Sequence, residues 1–363
     1  MLIDFLERMS GNRERRNIAC RAVLGRISIF HPCSLSFLIL FSLLQVISPV
    51  ALSDEQGAKQ GEKFDPAQLV SPTRVVTLGT GTPNILPGRS GTATAVVVNQ
   101  DQVYLFDAGS GFMETLSQFL EPGKQNIFPT SPSYPEFMYP TFLNKLFLTH
   151  LDSDHILGIP ELLLRGWVLE RNEPVKIWGP KGTEQVVKGV VSAYQPDIQH
   201  RLQSLPISKG EPYSGVVTEF DKSGVVYQDK YVTITAFTVE HGSWKEGEAF
   251  GYRIDAPDKS IVISGDTSYS QNLIENAKGA DILLHEVMSE EGLAKLPEKW
   301  QHYMLAAHTT TRQLADIAKQ VKPKSLVMIH PLLFGKPEES LEQELAGHYF
   351  GEFSLANDGD VFE

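Results

Sequence analysis

The stretch Phe147–Leu164, FLTHLDSDHILGIPELLL, sets two histidines and two aspartates, His150, Asp152, Asp154 and His155, directly behind an apolar run. The apolar run reads as a strand and PELLLRGWVL as a helix, so the four polar side chains fall on a loop between two rigid elements. Such a loop can give His150 and Asp152 to one metal ion while Asp154 and His155, turned the other way, face a second.

The strand candidates outward from this loop are RVVTLGT, ATAVVVN, QVYLFDAG, KLFLTH, VKIWGP, YVTITAFTVEHG, IVISGDT, DILLHEV and SLVMIH. They alternate with helical patterns such as METLSQFL, TEQVVKGVVSAY, QNLIENAK, TTRQLADIAKQ and SLEQELAGHYF. Strands this apolar need cover on both faces, which predicts a layered α/β domain with sheets in the middle and helices outside. Asp107, His150, His241, Asp266, Glu286 and His330 each follow the last apolar residue of a strand, so metal-ligand residue types at strand ends are expected to converge on one rim.

With 363 residues, 42% of them apolar, the chain can bury a sizeable core in one large or two ordinary domains. Its first 53 residues read differently: Arg13, Arg15, Arg16, Arg21 and Arg26 precede an apolar run over 35–47 and a small-residue end, SPVALS. That order is expected of a secretory leader, placing the protein in the periplasm or outside the cell; an uncleaved leader would be its one membrane contact. Cys20 and Cys33 both lie there, so a metal in the remainder must be held by His, Asp and Glu. Residues 54–73 read as a polar linker, and Glu121–Pro140, with five prolines and several aromatics, as a long loop. The formal charge of −12 becomes three units more negative without the leader, a balance that repels polyphosphate.

The ordered motifs LGTGTP, FDAGSG, THLDSDHILGIPELL, WGPKGT, EHGSWKEGEAFGYRI, SGDT, LLHEV, AAHTTTRQLADIA and MIH resemble the metallo-β-lactamase superfamily, in its ribonuclease Z-like and arylsulfatase-like branch. The resemblance covers residues 74–363 and implies an αββα sandwich, two central mixed sheets flanked by helices. It implies two divalent metal ions, usually zinc. His150, the residue at 152, His241 and a bridging Asp266 would hold the first; Asp154, His155, Asp266 and His330 would hold the second. A hydroxide between the ions would attack the ester. Asp154, His308 and Glu286 would serve catalysis, His308 by protonating the leaving group or holding substrate oxygens. Asp107 would buttress the loop. Trp244, with the aromatics of Phe128–Tyr139, and Tyr252 are the candidates for a substrate wall. His200, His285, His302 and His348 match no ligand position and are read as surface or packing residues.

The family pattern has histidine where this chain has Asp152. Four histidines and three carboxylates leave the centre one unit less positive, which raises the pKa of a bound water above the ~7 typical of catalytic zinc and tilts preference toward manganese or iron. Ribonuclease Z also carries an arm between its GYR and SGDT strands, and only IDAPDKSIVI separates Arg253 from Ser264 here. The expected function is therefore an exported dinuclear hydrolase of small sulfate or phosphate esters, with nucleic acid set aside as a partner and a homodimer expected by analogy. The alternatives are a ribonuclease Z-type endonuclease, a lactonase, or a non-catalytic metal-binding module if Asp152 disables the first position.

Overall fold

Successive residues of the central strands bury in opposite directions, and that alternation builds the layers. In Gln102–Phe106 the side chains of Val103 and Leu105 join one apolar cluster while Tyr104 and Phe106 join another; in Ser325–Leu332, Val327 and Ile329 face one way and Leu326 and Met328 the other. A strand buried on both faces must lie between two layers.

The computed structural model describes residues 64–120, 127–129, 140–207 and 210–363. Among them the strands, in chain order, are β1 (Arg74–Gly79), β2 (Ala93–Val98), β3 (Gln102–Phe106), β4 (Lys145–Phe147), β5 (Val175–Gly179), β6 (Gly215–Glu219), β7 (Gly224–Gln228), β8 (Thr233–Thr238), β9 (Phe250–Asp255), β10 (Ser260–Ile263), β11 (Ile282–Met288), β12 (Ser325–Leu332), β13 (Phe353–Leu355) and β14 (Val361–Phe362). They form two seven-stranded sheets, ordered β14-β1-β2-β3-β4-β5-β6 and β13-β12-β11-β10-β9-β8-β7. Each is mixed. Pairing is antiparallel from β14 to β3 and parallel from β3 to β6 in the first sheet, antiparallel from β7 to β10 and parallel from β10 to β13 in the second.

The cluster shared by the two sheets includes Val96, Phe106, Phe147, Phe250, Tyr252, Ile261 and Leu284. Helices Phe112–Ser117, Ile159–Val168 and Thr183–Ala193 cover the outer face of the first sheet, and Gln271–Ala277, Thr311–Val321 and Glu339–Ala346 that of the second. The αββα sandwich expected from the sequence is thus the observed architecture. Thr311–Val321 shows how local sequence sets an element: Thr310 and Gln313 close a capping box at its start, and Lys322 ends it at φ 54°.

The leader, Cys20, Cys33, residues 54–63 of the expected linker and most of the proline-rich loop lie outside the described residues. The second half of that linker differs from expectation. Phe64 stacks on Tyr231 with centroids 4.8 Å apart, its amide donates to the Lys230 carbonyl, and Thr73 donates twice to Asp258, so the fold begins before Arg74. Phe128, expected on a substrate wall, is instead fully buried and stacked on Phe142.

Candidate metal centre

Three loops at one rim of the sheets, together with two strand interiors, bring the expected residues together. His150 to His155 follow β4; His241 follows β8; Asp266 follows β10. Glu286 and His330 correct the expectation of strand ends, because both lie inside strands, β11 and β12. They reach the rim through an irregularity: Glu286 pairs with Ile329 and Val287 with Pro331, which leaves His330 as the extra residue, at φ 50°. A bulge of this kind re-aims a side chain without ending the strand. The His330 amide then donates to the Thr80 carbonyl at the end of β1.

The ring nitrogens are sorted by what lies behind them. Thr149 Oγ1 donates to Asp107 Oδ2 (2.8 Å), so the Nδ1–H of His150 donates to that hydroxyl (2.9 Å); His155 Nδ1–H donates to Asp107 Oδ2 (2.8 Å) and His241 Nδ1–H to the Ala307 carbonyl (2.8 Å). Asp107 also accepts from the Thr149 amide at 2.8 Å and sits at φ 58°, which a short acidic side chain tolerates. With Nδ1 committed, each of these imidazoles presents an Nε2 lone pair to the rim.

Those atoms meet carboxylates. Asp152 Oδ2 is 3.4 Å from His150 Nε2 and 3.1 Å from His241 Nε2; Asp154 Oδ2 is 3.1 Å from His330 Nε2 and 3.6 Å from His155 Nε2. Asp266 lies between the groups, 3.5 Å from His155, 3.3 Å from His330 and 4.0 Å from His241. Lone pairs facing carboxylates repel unless a proton or a metal cation stands between them. Ligand atoms about 2.1 Å from a tetrahedral ion are ~3.4 Å apart, the spacing found here. Buried and otherwise unpartnered, His150 Nε2 and His155 Nε2 add to the fit. His150, Asp152 and His241 can hold one ion, Asp154, His155 and His330 another, with Asp266 within reach of both.

The same crowding sets the protonation balance. Against the cost of burial, His330 and His155 hold Asp266 well below the usual carboxylate range, and His330 and His155 likewise hold Asp154 down. Against burial, contacts with His150 and His241 hold Asp152 down, while the bond to Asp152 and the charge of Asp266 lift His241 to about 9. Burial pushes His308 down to about 4 and Glu286 well up, Glu286 helped by Asp266 nearby. His308 Nδ1 is 4.0 Å from Asp266 Oδ2 and 3.3 Å from Glu286 Oε1, which accepts from the amides of Thr309 and Thr267.

Asp152 is the N-cap of the short helix Ser153–Ile156, yet its carboxylate accepts from no amide of that helix. It forgoes a cap worth ~1 kcal/mol and turns to His241 and to Trp244, whose indole Nε1–H donates to Oδ1 at 3.2 Å. Trp244 is thus at the centre. Tyr252 is not: it is fully buried between the sheets with its hydroxyl donating to the Leu148 carbonyl at 2.6 Å, and no substrate reaches it. His285 is a buried packing residue bonded to the Glu286 carbonyl, and His200 and His302 are exposed on helices.

The model of the Beta-lactamase superfamily domain matches residues 103–331, the span that contains every residue of this centre. Ribonuclease Z of Mycobacterium avium is 29% identical over 289 residues, covering 78% of this chain and 95% of that protein. Among solved structures, the metallo-beta-lactamase fold protein YhfI from Bacillus subtilis (TM-score 0.59, 18% identity, 80% of this chain and 99% of that one) and the short form of human tRNase Z (TM-score 0.56, 21% identity, 80% and 98%) share the fold. Relatives named for RNA cleavage overturn the expectation that nucleic acid is no partner. Net charge is a property of the whole surface, whereas a polyanion needs only a local path, and one missing arm removes one route to it. The chain belongs to the beta-lactamase superfamily and is a metal-dependent hydrolase of ester bonds.

Proposed function

We propose that this chain is a phosphodiesterase of the ribonuclease Z type, cutting RNA at a centre of two divalent ions. His150, Asp152, His241 and Asp266 hold the first ion, and Asp154, His155, Asp266 and His330 the second. Ions held there would supply Lewis-acid chemistry, polarising the ester's oxygens and activating water for attack. Asp107 fixes His155 directly and His150 through Thr149, keeping their Nε2 atoms aimed. His308, 3.3 Å from Glu286 and kept neutral by burial, would hold the ester's oxygens as a neutral imidazole at the edge of the site.

The observation that carries the reading is Asp266, one carboxylate within 4.0 Å of histidines from both groups and of His308. A carboxylate shared in this way would keep two ions close enough to act on one tetrahedral anion, with His308 at its edge. Phosphate is chosen over sulfate because the relatives aligned over 78% of the chain are named as ribonucleases. The test is metal content of the purified protein together with turnover of a tRNA precursor, bis-p-nitrophenyl phosphate and p-nitrophenyl sulfate. Two ions per chain and cleavage of both phosphodiesters are expected; cleavage of the sulfate alone would refute the reading.

A further inference from the structure

We infer that Trp244 fixes Asp152 as a single-oxygen ligand and thereby keeps the first metal position selective for zinc, in spite of its carboxylate. The inference rests on the metal centre proposed above. Three observations carry it. Asp152 divides its oxygens: Oδ2 faces His241 Nε2 at 3.1 Å and His150 Nε2 at 3.4 Å, while Oδ1 accepts the Trp244 indole N–H at 3.2 Å. Among the described residues, Oδ1 has no tether but the indole, since the carboxylate leaves its own helix uncapped and its side chain is 42% exposed. And the indole is placed by backbone rather than by chance. Gly242 takes φ 56°, the Trp244 amide closes a turn onto the His241 carbonyl, and the indole packs on the cluster beneath the second sheet's helices.

A free carboxylate can chelate an ion with both oxygens. Chelation raises the coordination number toward the six favoured by manganese and other oxygen-preferring ions, whereas zinc favours four ligands. An Oδ1 bonded to an indole N–H has one of its two lone pairs engaged and the carboxylate's plane fixed, which disfavours chelation of the ion by both oxygens. The first position then offers His150, His241, one oxygen of Asp152 and the shared Asp266, one donor fewer than a chelating carboxylate would give. The neutral donor that the carboxylate displaced is compensated by geometry: the harder ligand is admitted, and the higher coordination number that goes with it is refused.

The experiment measures zinc and manganese affinities by competition titration of the full chain, for wild type, Trp244→Phe, Asp152→His and the double variant. Phenylalanine keeps the packing and removes the donor. The zinc-over-manganese preference of the first position is expected to fall at least tenfold in Trp244→Phe, and Trp244→Phe is expected to change nothing when Asp152→His is already present. A preference within twofold of wild type in Trp244→Phe overturns the inference, as does an equal fall in the Asp152→His background, which would place the effect in packing. Wild type that binds ions while Trp244→Phe keeps its preference overturns this inference alone; wild type that binds no divalent ion refutes the metal centre and the inference with it. If Trp244→Phe does not fold, tryptophan labelled at the indole nitrogen decides. One of the four indole N–H signals of the zinc-loaded chain should exchange slowly and lose that protection in Asp152→Ala, and four signals indifferent to Asp152→Ala would overturn the inference.

Discussion

The two halves of the centre are built from the same residue types and anchored in different ways. Asp154, His155 and His330 are buried, with side-chain exposures of 7%, 0% and 2%; His155 bonds Asp107, and His330 sits on a strand bulge locked to β1. In the other half Asp152 is 42% exposed and leans on an indole, and His241 leans on the last carbonyl of the helix Glu298–Ala307. One half is buried throughout; in the other His150 and His241 are buried and Asp152 reaches the surface. Buried ligands have few alternatives to their positions, so tuning falls to Asp152, whose support Trp244 lies on a loop.

The largest blow to this division is Asp266→Ala, because the Asp266 carboxylate is within reach of both halves. Both ions are expected to be lost. Several kcal/mol of transition-state stabilisation goes with them, about 10³-fold or more in kcat/KM, checked by elemental analysis beside steady-state rates on bis-p-nitrophenyl phosphate. Retention of one tightly held ion would show that the deep half stands without it.

Asp107→Ala acts more selectively. It leaves the Thr149 amide and hydroxyl and His155 Nδ1 buried without their acceptor, at a cost of ~1–3 kcal/mol in unfolding free energy by denaturant titration. Metal affinity should fall ~10–100-fold at the deep position, which Asp107 supports directly, and less at the shallow one, which it reaches only through the Thr149 hydroxyl. Equal losses at both positions would erase the distinction between the halves.

The comparison also explains what the sequence displays. The αββα layering is legible because its strands are apolar on both faces, and the ligands are legible because loop HLDSDH and the polar residues behind the strands stand out against those runs. The bulge at His330 is invisible in MIHPLL, because it arises from the pairing of β12 with β11, and Pro331 fits a strand only at such an irregularity. The helix Glu298–Ala307 is missed because it buries only Ala307 and leaves Trp300, Tyr303 and Leu305 exposed, so no apolar stripe forms. Edge strands β6 and β7 expose Val216 and Val225 and break the expected pattern in the same way. Arg171 carries no sequence signal, yet it is buried and donates to the carbonyls of Leu162, Leu163 and Pro212, holding the helix behind the metal loop.

Tyr252 marks the limit of reading a role from a neighbour in sequence. It stands in the GYR motif ten residues from Gly242 and yet lies between the sheets, where its hydroxyl donates to the carbonyl of Leu148, two residues before His150. Burial is decided by the strand's alternation: in β9, Phe250, Tyr252 and Ile254 all point into the cluster shared by the sheets. Tyr252→Phe keeps the ring and its edge contacts with Phe106 and Phe147 and removes one hydrogen bond. The expected cost is about 1 kcal/mol, read as a lower denaturant midpoint with unchanged slope. KM for a phosphodiester and the metal content should match wild type. A rise in KM without loss of stability would return Tyr252 to the substrate, whereas a fall in metal affinity at the His150 position alone would show that the Leu148 carbonyl transmits strain to the shallow half.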